Sequence, residues 1–218
     1  MGRLGLIAGS SLAESALPEG EWTSIHRHEV GEDYRLPHEI DYLANLRRLA
    51  DADCDRVLAL SSVGGLRPEL GPGTFVCPHD FIALDAEPLT ALEGVEAHRA
   101  PRFDPALRGE LVEALAEAGI EARPEGVYWQ ARGPRLETPA EIRLIAAHAD
   151  VIGMTVASEC VIAGELGLRY AALCVVDNLA NGVAGEDLTP AKIDRYRELN
   201  RDAVGAALAR VLPLLAGF

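Results

Sequence analysis

Arg56-Val57-Leu58-Ala59-Leu60-Ser61-Ser62-Val63-Gly64-Gly65 is a run of apolar residues that closes on serines and two glycines. An uninterrupted apolar run of this length, Arg56–Ser62, reads as a strand buried on both faces, and such strands belong to parallel sheets covered by helices. Its small-residue end lets a flat ligand approach the backbone at the C-terminal edge of a sheet, and it is equally consistent with a tight strand-to-loop turn. Outward from it, further apolar runs lie at Leu4–Ala8, Thr74–Cys77, Gly126–Ala131, Val151–Gly153 and Ala171–Val176. Helical patterns alternate with them at Glu39–Ala50, Pro105–Ala118, Pro139–His148, Ser158–Leu166 and Thr189–Leu215. Pro139 and Pro190 stand at first-turn positions that tolerate proline, behind Thr138 and Thr189 as caps. The alternation predicts an α/β protein whose parallel strands are joined by crossover helices. Asp85–Arg102 reads as a loop. No repeat or Gly/Ser/Pro-rich linker divides residues 1–218, so one domain is expected.

Composition narrows the class. The 218 residues are 49% hydrophobic and only 5% aromatic, which describes a core of small aliphatic side chains. A formal net charge of −14 weighs against sequence-independent nucleic-acid binding, which needs clustered Lys and Arg. Cys54, Cys77, Cys160 and Cys174 are scattered without a C-x-x-C pair, and a reducing compartment suits them. No charged leader and no 18-residue apolar window is present, so a cytoplasmic location with no membrane partner is expected. The six histidines show no ligand spacing, and no metal or organic cofactor is expected.

Several segments carry candidate chemistry. Gly9-Ser10-Ser11, after the first strand, is an anion-holding turn or simply a turn. His26-Arg27-His28 offers a guanidinium fork and a second donor, which suits a phosphate dianion, although such a cluster beside Glu29 and Glu32 also suits a solvated surface. Asn178 could be a turn residue before Gly182, and Glu137 a helix-start carboxylate.

Taken together, Gly133-Pro134-Arg135-Leu136-Glu137-Thr138, Gly153-Met154-Thr155 with Ser158-Glu159, and Val175-Val176-Asp177-Asn178-Leu179-Ala180-Asn181-Gly182 have a specific spacing. In these segments the chain resembles the trimeric purine nucleoside phosphorylase and methylthioadenosine phosphorylase family, most of all its methylthioinosine phosphorylase branch. The resemblance runs from Gly5 to the last helix. It implies a central mixed, mostly parallel sheet flanked by helices, and phosphorolysis of a purine nucleoside with inorganic phosphate as co-substrate. It also implies a homotrimer whose sites borrow a residue from the neighbouring subunit.

Carried over by position, Ser10, Arg27, His28, the Ser62 backbone and Thr155 would hold phosphate, and Met154 would pack under the ribose. Leu136 would cover the purine, Glu137 would meet its N1 edge and Asn178 its N7 edge, with Val63, Gly64 and Ala180 completing the base pocket. Asn178, Arg27 and His28 would carry the chemistry. Adenine-specific relatives have Asp at the position of Asn178 and Ser at that of Glu137, so a 6-oxopurine is favoured here. Pro190 and Ile193 would form an apolar 5′ wall suited to a methylthio group. His98 matches the 5′-pocket histidine of the family through a shortened loop, or is an ordinary surface residue. The chain departs from the family in its short connection from Gly9 to Arg27, in Ser11 in place of Gly, and in Glu29 where the family has Gly. A carboxylate at Glu29 opposes a bound dianion unless it points away. Other readings of the same motifs are a methylthioadenosine phosphorylase, a hydrolase that uses water, and a nucleoside-binding protein without catalysis.

Overall fold

The computed structural model describes residues 2–9, 17–29, 34–86, 89–185 and 188–217, with the side chains of Pro190 and Asp194 also outside the description. The run quoted first becomes the middle of β3 (Cys54–Gly65), which outlasts its expected end at Ser62 by three residues. β3 lies parallel to β1 (Arg3–Ala8) on one side and to β9 (Arg169–Leu179) on the other. Leu58 and Ala59 at its centre are fully buried, one packed into each layer of core. Both faces are therefore covered, which is why an unalternating apolar run forms this strand.

Toward its C-terminal end β3 also meets β8 (Val151–Gly153) in an antiparallel contact through Gly64 and Gly65. β7 (Val127–Gln130) and β5 (Asp80–Ile82) extend the sheet beyond β8, while β4 (Phe75–Val76) and β6 (Ala122–Arg123) extend it beyond β9. β2 (Trp22–His26) adds a parallel edge to β1. Among the described residues this gives nine strands in one mixed, mostly parallel sheet, as the resemblance implied.

α1 (Tyr42–Asp51) and α4 (Val156–Glu165) cover one face of the sheet, and α2 (Pro105–Glu117) and α5 (Pro190–Ala216) the other. α3 (Pro139–Ile145) sits over a smaller apolar cluster beside β7 and β8. Thr138 and Thr189 cap their helices as expected, accepting from the N–H groups of Glu141 and Lys192. All four cysteines are buried and unpaired with one another. No helix among the described residues is long and apolar enough to cross a membrane.

The differences from expectation have local causes. α1 starts at Tyr42 instead of Glu39, because Asp41 accepts the Ala44 N–H at 2.8 Å and resets the helix after a 3-10 turn at Pro37–Glu39. α3 ends at Ile145, three residues early, and α4 begins at Val156, two residues before its expected start. β2, β5 and β6 went unread: only Ile25 of β2 is buried, and neither β5 nor β6 has a fully buried residue. A second 3-10 turn, Gly94–Ala97, interrupts the segment read as a loop.

After β2 the chain turns at His26–Glu29, with the Glu29 N–H donating to the His26 carbonyl at 3.3 Å, and the Arg27 N–H donates to the Ala8 carbonyl at 3.0 Å. This turn holds Glu29 at φ 56, the left-handed region where a Cβ is unfavourable. The Glu29 carboxylate faces Arg48 on α1 at 3.9 Å and does not line the cavity described below. The carboxylate therefore points away from the expected anion site. Glu29→Gly should stabilise the protein by about 0.5–1 kcal/mol, since relief of the left-handed strain exceeds the added chain entropy of glycine; a urea midpoint that falls would contradict this.

Candidate active site

The C-terminal ends of β1, β3 and β9 converge with β8 around a cavity of about 240 Å³. That is slightly below the usual range for small-molecule sites, roughly 300–1,000 Å³. Arg27, His28, Ser62, Val63, Gly64, Leu136, Glu137, Met154, Thr155, Asn178, Ala180 and Ile193 all line it. Residues from both ends of the chain thus meet in one place, at the strand edge where open α/β sheets bind ligands.

At one end of the cavity lies Arg27, whose side chain is 1% exposed. Its Nε–H donates to Glu159 Oε1 at 2.5 Å and its Nη2 to Glu159 Oε2 at 2.9 Å, while Nη1 donates to the Leu60 carbonyl at 3.1 Å. Tyr170 closes the network by donating its hydroxyl proton to Glu159 Oε2 at 2.6 Å. Burial works against the Arg27 charge, but the facing carboxylate outweighs it and holds the guanidinium protonated. Such a pair is tolerated in the interior because each oxygen and most N–H groups of the fork have partners.

His28 is buried beside it, with its ring stacked on Tyr34 at 5.2 Å. A carbonyl can only accept, so the 2.8 Å contact with the Arg35 oxygen places a proton on Nδ1 and leaves Nε2 as the nitrogen that can serve the cavity. Burial lowers the His28 pKa, and the neighbouring Arg27 and Arg197 cations lower it further against the pull of the Arg35 carbonyl. Thr155 is the N-cap of α4, yet its side chain makes no cap bond. The Tyr128 hydroxyl takes that role, accepting the N–H groups of Thr155 and Val156 at 3.2 and 3.4 Å. The Thr155 hydroxyl is thus presented at the positive end of a helix dipole, where anions are stabilised. Ser62, which lines the cavity, donates its hydroxyl to Asp177.

The other end of the cavity is shaped by an irregularity between β3 and β9. Val63 pairs with Val176 but Gly64 pairs with Asn178, so Asp177 is an extra residue on β9. A bulge of this kind re-aims the side chains that follow it. Asn178 lines the cavity, with one amide hydrogen donated from Nδ2 to the Leu179 carbonyl at 2.9 Å. Glu137 arrives from the segment before α3, and burial raises its pKa. Leu136 beside it is 37% exposed, an apolar surface open to a ligand. Between the two ends lies Met154, against which Gly133 is pressed. Gly133 has φ 68, which strains any side chain, and a Cβ there would stand 2.6 Å from the methionine sulfur, so glycine is favoured where this segment meets Met154.

Three expected residues are not found here. Ser10, with Ser11, lies outside the described residues, and so does the side chain of Pro190, although α5 begins at that residue. His98 is exposed after the Gly94–Ala97 turn and does not line the cavity of its own chain. Leu188 lines the cavity with Ile193 as a further apolar residue. The sequence motifs contain Glu159 and Asp177 without giving them a role, and Tyr128, Tyr170 and Arg197 lie outside those motifs. Both tyrosines lie within apolar strand runs, and nothing in the local pattern marks their hydroxyls as anchors.

Comparison with known proteins agrees with this architecture. The family model described as Phosphorylase superfamily matches residues 27–213. The chain belongs to this superfamily. Among its relatives, a probable 6-oxopurine nucleoside phosphorylase of Archaeoglobus fulgidus is 39% identical over 176 residues, covering 80% of this chain and 69% of that protein. A probable S-methyl-5′-thioinosine phosphorylase of Pseudomonas syringae pv. tomato is 39% identical over 201 residues, covering 86% and 79%. The crystal structure of a Schistosoma mansoni methylthioadenosine phosphorylase in complex with adenine superposes with a TM-score of 0.88 at 22% identity, covering all of this chain and 93% of that one. At that identity the likeness speaks for the phosphorylase fold alone.

In this member of the superfamily Glu159 is the counter-charge on which Arg27 depends. Glu159→Gln should destabilise the protein by about 3–5 kcal/mol because it leaves a buried cation uncompensated. Tyr170→Phe should cost about 1.5–3 kcal/mol, the value of one hydrogen bond to a charged group. Urea unfolding of both variants checks the order, and equal losses would mean that Glu159 does not neutralise Arg27.

Proposed function

We propose that the protein catalyses phosphorolysis of a 6-oxopurine nucleoside, 5′-methylthioinosine or inosine, giving hypoxanthine and the corresponding ribose 1-phosphate. The observation that carries this reading is the pairing of Glu137 and Asn178 on one cavity whose opposite end holds Arg27, His28 and the Thr155 helix start. A Glu137 carboxylate accepts the N1–H that hypoxanthine has and adenine lacks, and the Asn178 amide can both donate to N7 and accept. A buried acceptor without its proton costs roughly 1–3 kcal/mol, enough for about ten- to hundredfold discrimination. The names borne by the Archaeoglobus and Pseudomonas relatives support the same substrate class.

In the reaction a phosphate oxygen attacks C1′ as the bond from C1′ to N9 breaks, and the bonding pair leaves with the purine. Positive charge grows on the sugar and is stabilised by the phosphate beneath it, while Asn178 stabilises the purine anion through N7. The anion end positions the nucleophile, and Met154 and Leu136 hold ribose and base in line. The residues need no covalent intermediate, metal or organic cofactor for this. The apolar lining from Leu188 and Ile193 favours a methylthio group over a hydroxyl at the 5′ position. By family likeness we also propose a cytoplasmic homotrimer in which His98 reaches a neighbour's 5′ pocket.

A substrate panel with phosphate varied tests the reading: methylthioinosine or inosine should release hypoxanthine faster than the adenine counterparts release adenine, and sugar phosphate should appear only with phosphate present. Better turnover of methylthioadenosine would sink the roles of Glu137 and Asn178. Asn178→Ala should lower kcat more than it raises the phosphate KM. Glu137→Gln should reduce kcat/KM for inosine about ten- to hundredfold. Stability should move the other way. The Glu137 pKa is raised on folding, so the native state binds this proton more tightly than the unfolded chain, and stability is lost as pH rises above the usual carboxylate range. A neutral Gln removes that loss, so the Tm of the variant should exceed that of the parent at pH 7 and the difference should vanish near pH 4.

A further inference from the structure

Among the described residues three helices begin at a threonine N-cap, and one of those threonines leaves its own helix uncapped. Thr138 and Thr189 stand in the extended region, at φ −71, ψ 158 and φ −118, ψ 155, and each accepts the N–H of the residue three places on. Thr155 stands at φ −142, ψ −34, and its side chain makes no such bond. The N–H it would take, that of Ser158, donates instead to Gln130 Oε1 at 3.0 Å. A backbone N–H can only donate, so this contact fixes the amide with its oxygen toward the helix, and Nε2 then donates to Ser158 Oγ at 2.5 Å. Gln130 follows Tyr128 by two residues on β7, so the two side chains leave the same face of the strand and cap α4 from outside. Gly153 makes room for them, since a Cβ there would collide with the Tyr128 hydroxyl. Gln130 is 3% exposed and does not line the cavity, whereas Thr155 does.

We propose that Gln130 is a positioning residue that keeps the Thr155 hydroxyl available to phosphate. By holding the Ser158 N–H it removes the bond that an N-cap threonine otherwise makes to its own helix. The hydroxyl is then left to donate its proton to a phosphate oxygen, and the helix start and the threonine act on the dianion without competing. The inference rests on the phosphorolysis reading above, and its test separates the two.

The test uses the purified full chain and a double-mutant cycle of Gln130→Met and Thr155→Val, read as the phosphate KM and as calorimetric binding of inorganic phosphate alone. Each single variant should raise the phosphate KM about tenfold, the loss of one hydrogen bond to a charged group, with the nucleoside KM changed less than about threefold. In the Thr155→Val background Gln130→Met should add less than about threefold, because the hydroxyl it serves is gone. Stability should respond in the opposite sense: the urea midpoint should fall further on Gln130→Met when Thr155 is already Val, where no hydroxyl remains to take over the Ser158 N–H. An equal rise of the phosphate KM in both backgrounds would make Gln130 a purely structural residue and overturn the proposal. Gln130→Glu keeps an acceptor for the Ser158 N–H, so whatever its charge does to the phosphate KM, adding Thr155→Val should still raise that KM about tenfold. Should Gln130→Met fail to fold, the Glu variant carries the test, and loss of the Thr155→Val effect in it overturns the proposal. If the parent enzyme shows no phosphorolysis, the proposed reaction fails. Calorimetry still decides the inference: phosphate binding weakened by Gln130→Met in the parent but not in Thr155→Val supports it, and no binding to the parent overturns it.

Discussion

The long parallel pairing of β3 with β9 is the constraint on which the rest of the structure depends. It runs from Arg56 opposite Arg169 to Gly65 opposite Leu179, so the two most buried strands end at the same edge of the sheet. One extra residue near that edge separates a continuous core from a binding surface. Over most of the pairing the side chains of both strands serve the two apolar layers; at its end Gly64 pairs with Asn178, and both line the cavity. The added residue, Asp177, gives β9 a buried carboxylate that reaches both the neighbouring strand and the terminal helix.

The electrostatics of the cavity follow from what the fold has already neutralised. Each arginine that lines it has an acidic partner, and His28 is pushed toward its neutral form. The site therefore offers directed hydrogen-bond donors and a helix start more than net positive charge. This agrees with a chain whose overall charge is −14, in which long-range attraction of anions plays little part. Selectivity must come from geometry at short range, where a tetrahedral dianion and a flat base are each met by fixed groups.

Much of this was legible in the sequence, and the parts that were not share a cause. Buried elements such as β3 and β9 announce themselves, because continuous apolar runs have few alternatives, and Thr138 and Thr189 mark their helices because capping is a local matter. β2, β5 and β6 hold almost no buried side chains, so hydrophobic pattern could not reveal them. The motifs brought twelve expected residues to one cavity, yet they were silent on what holds those residues in place. Tyr170, Tyr128 and Arg197 act through partners on other elements, between 11 and 28 residues away, and such partnerships leave no trace in local spacing. Glu29 was legible as an intrusion, but its harmlessness depends on Arg48, a contact across the turn that only the folded chain displays.

The Arg27–Glu159 pair spans 132 residues of sequence. Neither charge can be buried alone without a large penalty, so the interior around them cannot close until β2 and α4 have both been delivered to the sheet. The pair thus acts as an assembly checkpoint. Until both are in place, one charge of the pair must stay in contact with water. The lining of the cavity at Arg27 and the closure of the core around Glu159 are thus parts of one packing arrangement.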